Sequence, residues 1–173
     1  MSRDVWERIP DDWYEWVTDE WKEKLEALGF RNPEIQFSGF GSQGDGASFT
    51  ADAVERNWRR LMPRAVKRAI KAAEVTHRLI GEPVPWDKDW SIAVAIERGS
   101  EHRYVHEYTT GTQIDGCGSP DLPEVGTWLN DLEKALDEEV RGLARKIYRD
   151  LEKTYFAEYD YYRQEAEAEE EAP

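Results

Sequence analysis

The stretch FSGFGSQGDGASF, residues 37–49, decides how this chain folds on paper, because four of its 12 glycines lie within it, at Gly39, Gly41, Gly44 and Gly46. On either side are short alternating segments. EIQFSGF (34–40) puts Ile35 and Phe37 on one side of an extended chain, and ASFTA (47–51) does the same with Ala47, Phe49 and Ala51. Between them, Asp45-Gly46 is a dipeptide that turns hairpins because it tolerates positive φ. The glycines let the chain reverse and let two strands approach where side chains would collide.

Working outward, Trp13, Trp16, Val17, Trp21, Leu25 and Leu28 recur at spacings of three and four, which predicts an amphipathic helix over 12–28. Asp11 and Asp12 suit its N-terminus and Gly29 its C-terminus, and the tryptophan face is read as core. Beyond the hairpin, Asp52 is placed to cap a helix over 53–80 with a buried stripe that includes Trp58, Leu61 and Ile80, and a kink or restart at Pro63. SIAVAIE (91–97) alternates Ile92, Val94 and Ile96 inward, and a short turn at 98–100 leads into HRYVHEYT (102–109), a second hairpin. Residues 110–123, rich in glycine, proline and aspartate, read as an irregular loop.

From about Glu124 the chain turns helical to about Tyr162, with Leu129, Leu132, Leu136, Val140, Leu143, Ile147, Leu151 and Tyr155 in one stripe. At 1.5 Å per residue such a helix is close to 60 Å long, against a radius of gyration of about 15 to 16 Å for a compact domain of this size. Part of it must bend, fray or project. Its aromatic end is either a lid on the core or a partner surface, and residues 165–173 read as an acidic disordered tail. The order helix, hairpin, helix, hairpin, helix gives a single α+β domain over 1–164. Its sheet is antiparallel and four-stranded, with helices packed on one face and a long C-terminal helix.

Composition sets the surroundings. The net charge of −14 would repel nucleic acid if spread evenly, but Arg56, Arg59, Arg60, Arg64, Lys67, Arg68 and Lys71 form a basic run with no acid among them. The single cysteine, Cys117, allows no internal disulfide and suits a reducing compartment. MSRDVWERIPDDW has no apolar run behind its positive charge, so neither signal peptide nor membrane span is expected and the cytosol is the expected location.

The glycine loop invites a phosphate reading, with Ser42, Gln43, Gly44, Asp45 and Gly46 as its binding residues. A phosphate loop, however, leads from a strand into a helix N-terminus, and here ASFTA intervenes with no Gly-Lys-Ser/Thr. A calcium loop needs several carboxylates and this one offers Asp45 alone. In an extended strand His102 and His106 share a face but lie roughly 13 Å apart, too far to bind one zinc. No metal or cofactor is expected. An enzyme or small-ligand reading centres on Asp45, His102 and His106, with Asp45 or Glu107 orienting an imidazole. No GxSxG or similar nucleophile context is present.

At FSGFGSQGDGASF the chain resembles a family of uncharacterised bacteriophage and prophage proteins, whose stretch FSGFWSQGDGASF precedes a tyrosine- and histidine-containing strand like HRYVHEYT. The resemblance spans about residues 10 to 160, and Gly41 stands where that family has a tryptophan. It implies a phage setting and no particular chemistry. The leading expectation is a phage-encoded accessory protein that binds a host or phage macromolecule. In its sharper form, acidic residues such as Asp131, Asp137, Glu138 and Glu139 imitate nucleic acid to inhibit a host defence or regulatory protein. The rival is direct nucleic-acid binding through Arg56, Arg60, Lys67 and Lys71.

Overall fold

The computed structural model describes residues 3–53, 91–98, 105–117 and 123–171. Ala53, expected to start a helix over 53–80, is in a strand; the rest of that span, its basic face and His102 lie outside the described residues. A short helix, α1 (Arg3–Trp6), precedes α2 (Glu15–Ala27), then strands β1 (Phe30–Phe37), β2 (Ala47–Ala53), β3 (Ser91–Arg98) and β4 (Thr110–Cys117), and finally α3 (Pro123–Glu171). The four strands form one antiparallel sheet in the order β1-β2-β3-β4.

In α2 the four-residue spacing of Val17, Trp21 and Leu25 gives one buried stripe. Gly29 ends the helix with φ of 100°, its amide donating to the Glu26 carbonyl at 2.8 Å. This left-handed cap is inexpensive only without a Cβ. The start differs from the sequence expectation. Residues 11–14 form turns, Tyr14 is the N-cap, and no side chain caps the helix, so Asp11 and Asp12 do not have that role. Trp13, freed from the helix, turns edge-on to Phe37 and Phe40 and packs on Tyr155.

The first hairpin pairs Ile35 with Phe49 and Phe37 with Ala47. Strand β1 starts earlier than expected and contains Pro33, which is tolerated because β1 is an edge and the register slips between Arg31 and Glu34. The second hairpin corrects the sequence reading. β3 pairs with 110–117, from Ser91↔Cys117 to Arg98↔Thr110, while 105–109 is a coil and a 3-10 turn (Glu107–Thr109). Thr110 and Thr112 are buried, so β-branched threonines make the inward face of β4 where an apolar pattern was sought. The extended strand expected over 102–109 does not form at His106 and Tyr108.

The α3 helix has 49 residues, about 74 Å at 1.5 Å per residue. Leu136, Val140, Ala144, Ile147 and Leu151 pack with Val17, Trp21 and Leu25 of α2 and with Phe30, Phe49, Ala51 and Ile96 of the sheet. Trp21 joins the two helices through Nε1, which donates to Asp150 Oδ2 at 3.0 Å. Further along, Val5 and Ile9 cover Tyr159, and Trp6 lies 5.2 Å from the Tyr155 ring and 4.4 Å from that of Tyr159. The tyrosine-rich end thus divides: Tyr155 and Tyr159 complete a second small core, while Tyr161 stays exposed. Residues 165–171 are helical, which corrects the expected disordered tail. Glutamate and alanine are good helix formers, Arg163 reaches Glu167, and Arg8 reaches Glu169 at 2.9 Å.

Candidate functional site

The glycine loop, 38–46, is closed by its own carboxylate. Asp45 Oδ2 accepts the amides of Gly41 at 2.9 Å and Ser42 at 2.6 Å, and the Asp45 amide donates to the Ser42 carbonyl at 3.1 Å. Successive amides of this kind make an anion-binding nest, and here the anion is supplied from within. Gly41 and Gly44 have positive φ, and Gln43 and Ser42 are exposed at the tip.

Below the tip the loop meets the 105–109 segment. The Ser38 hydroxyl donates to the Val105 carbonyl at 3.1 Å and accepts the Gly46 amide at 3.0 Å. A Cβ on Gly46 would stand 2.9 Å from His106 Cα and 3.2 Å from the Val105 carbonyl oxygen, so only glycine allows this crossing. The Tyr148 hydroxyl of α3 donates to the Gly39 carbonyl at 3.2 Å. Burial raises the Tyr148 phenol above its ordinary range, reinforced by the negative charges of Glu152 and Asp45.

His106 thereby comes to the glycine loop, but not to Asp45, which is engaged with its own turn. Its orienting partner is Glu107. Imidazole Nδ1 lies 3.0 Å from Glu107 Oε2 and 3.4 Å from the Tyr108 amide. Nδ1 accepts the Tyr108 amide, and its contact with Glu107 is an ion pair only when the imidazole carries a second proton. The other Glu107 oxygen faces Arg145 at 3.8 Å, so this mostly buried carboxylate sits between an imidazole and a guanidinium. Tyr108, though 64% exposed, has His106 stacked at 5.2 Å and the Arg141 guanidinium 5.4 Å from its ring centre. Its contacts are of the kind that fix a surface tyrosine in place.

Of the acidic set named from the sequence, the side chains of Asp137, Glu138 and Glu139 are described. Asp137 accepts the Thr112 amide at 2.7 Å and pairs with Arg141, which ties α3 to β4. Glu138 is exposed, Glu139 is half-buried, and the side chain of Asp131 lies outside the described residues. Among the described residues no group of three or more metal-ligating side chains converges, and no helix is long and apolar enough to cross a membrane.

Two features were missed in the sequence. Trp16 was assigned to the core and is 59% exposed, and it borders a groove of about 340 Å³ between α2 and α3 that also includes Val17, Lys153, Ala157 and Glu158. The second is the helical form of the glutamate-rich end of α3. The position of Trp16 in its helix gave a usable signal: Val17, Trp21 and Leu25 already complete a four-residue stripe, and Trp16 stands beside it.

Fold and site together define a small α+β domain in which a self-closed glycine hairpin, an antiparallel sheet and one very long helix share a core. Residues 13–161 match the family model described as a domain of unknown function, DUF8835, and the chain belongs to that family. No curated protein and no solved structure matches it.

Proposed function

We propose that this protein is a phage-encoded accessory protein that acts in the host cytosol by binding a macromolecule. Its partner on this reading is a cation-rich surface, such as the nucleic-acid site of a host defence or regulatory protein. The phage setting rests on the FSGFGSQGDGASF resemblance. The binding mode rests on one observation: α3 continues to Glu171, carrying Glu165, Glu167, Glu169, Glu170 and Glu171 on its last turns, with Arg163 and Arg8 as cations that reach two of them.

Carboxylates at a helix C-terminus oppose the macrodipole and weaken the helix by about 0.3–1 kcal/mol each. Glu167 and Glu169 have intramolecular partners in Arg163 and Arg8, while the surplus of carboxylates over cations suits a positively charged partner. Asp137, Glu138 and Glu139 contribute less on this view, since Asp137 already holds β4.

The test is capture from host lysate on the immobilised protein, followed by elution with double-stranded DNA. Captured proteins are expected to leave with DNA, and the quadruple variant Glu165→Lys, Glu167→Lys, Glu170→Lys, Glu171→Lys is expected to capture none. Capture indifferent to both DNA and charge reversal would end this reading.

A further inference from the structure

The groove between α2 and α3 has an exposed aromatic lip and unequal charge at its two ends. Val17, Thr154 and Ala157 line it, and Trp16 borders it at 59% exposure. Tyr161, 60% exposed, follows Ala157 by four residues and Thr154 by seven, so it extends the same face of α3 past the groove. Exposed tryptophan and tyrosine beside a groove of mixed apolar and charged lining are of the kind that dominates binding energy in protein interfaces.

The charges select an occupant. Glu20 and Lys24 neutralise each other at 2.8 Å, and Asp150 is engaged by Trp21 Nε1 at 3.0 Å. Among the described residues, Lys153 at one end and Glu158 at the other have no ion-pair partner. Beyond Glu158 the acidic end is extended by Glu165, seven residues on and on the same face. A cation entering at the Trp16 end would meet two carboxylates and the open face of an indole.

Resting on the reading of a binding protein with a cation-rich partner, we propose that this groove seats an amphipathic helix of the partner protein. Its apolar residues lie against Trp16, Val17 and Ala157, and its lysines or arginines lie over Glu158 and Glu165. Such a helix would pack as a third member beside α2 and α3, the helix-in-groove mode of recognition.

The probe is a synthetic amphipathic helical peptide of leucine and lysine, about 18 residues long, titrated into the full chain by calorimetry, with polylysine as a second probe. The leucine-lysine peptide is expected to bind one to one. Trp16→Ala and the pair Glu158→Lys, Glu165→Lys are each expected to weaken it about tenfold or more, while polylysine still binds the Trp16→Ala protein. Circular dichroism checks that Trp16→Ala, an exposed change, stays folded. Peptide binding that ignores Trp16→Ala, with polylysine bound and lost on reversing Glu165, Glu167, Glu170 and Glu171, overturns the groove and leaves the acidic-end reading standing. No binding of either probe overturns both. Concentration-dependent dimerisation of the protein alone that Trp16→Ala abolishes overturns the groove proposal by making a second copy the occupant.

Discussion

Gly46 and His106 touch backbone to backbone: a Cβ on the glycine would lie 2.9 Å from the histidine Cα and 3.0 Å from its Cδ2. The neighbouring chain at this point is main chain and a ring held by Glu107, neither of which yields easily. Gly46→Ala is therefore expected to destabilise the protein by about 1–3 kcal/mol, the usual range for overpacking. Gly111→Ala, where an added methyl meets nothing within 4 Å, is the control and is expected to change stability little. Urea unfolding of the two variants, compared at their midpoints, decides the matter; equal midpoints would refute the crossing.

Asp45 closes the hairpin by accepting two amides with a single oxygen, Oδ2. Asp45→Ala leaves both without that acceptor and is expected to cost about 1–3 kcal/mol. Asp45→Asn keeps an oxygen but not its charge and should fall between. If inorganic phosphate restored the stability of Asp45→Ala but left the wild type unchanged, the nest would be shown to be an anion site filled from within.

The raised Tyr148 and Tyr155 phenols predict a loss of stability at alkaline pH. Both are shifted chiefly by burial, Tyr148 also by Glu152 and Asp45, and Tyr155 also by Tyr159. A phenol whose folded pKa exceeds its unfolded value binds its proton more tightly when folded. Its stabilising contribution is whole below the unfolded value of 10.0 and declines as pH rises through the folded one. Melting followed from neutral pH to above pH 10.0 should show this decline, smaller in Tyr148→Phe than in the wild type.

Trp21 and Trp16 are five residues apart and differ in consequence. Trp21 is 7% exposed and bonded to Asp150, so Trp21→Ala is expected to cost about 3–5 kcal/mol, as large core truncations do. Trp16→Ala is expected to stay within about 0.5 kcal/mol of wild type, like most surface substitutions. Thermal or urea unfolding separates the two, and a large loss at Trp16 would return it to the core.

Much of this arrangement was legible beforehand because it depends on local periodicity. Val17, Trp21 and Leu25 at four-residue spacing, Ala47, Phe49 and Ala51 at two, and Gly29 after the last helical turn are statements any segment makes about itself. The long stripe ending in Ile147 and Leu151 belongs with them. So does the glycine hairpin, whose reading as a bend agrees with Asp45 occupying its amides. The partner of β3 was not legible, because threonines and glycines of 110–117 carry no apolar alternation, and their burial depends on α3 lying across them.

The amino-acid order by itself determined the glycine bend between β1 and β2, the end of α2 at Gly29 and the four-residue apolar stripe of α2, since these follow from the steric freedom of single residues and their spacing. Tertiary structure alone decided that His106 meets Gly46 rather than Asp45, and that Asp137 serves a strand instead of a surface. Those outcomes depend on contacts between residues far apart in the chain, and packing chooses among side chains that local pattern treats alike.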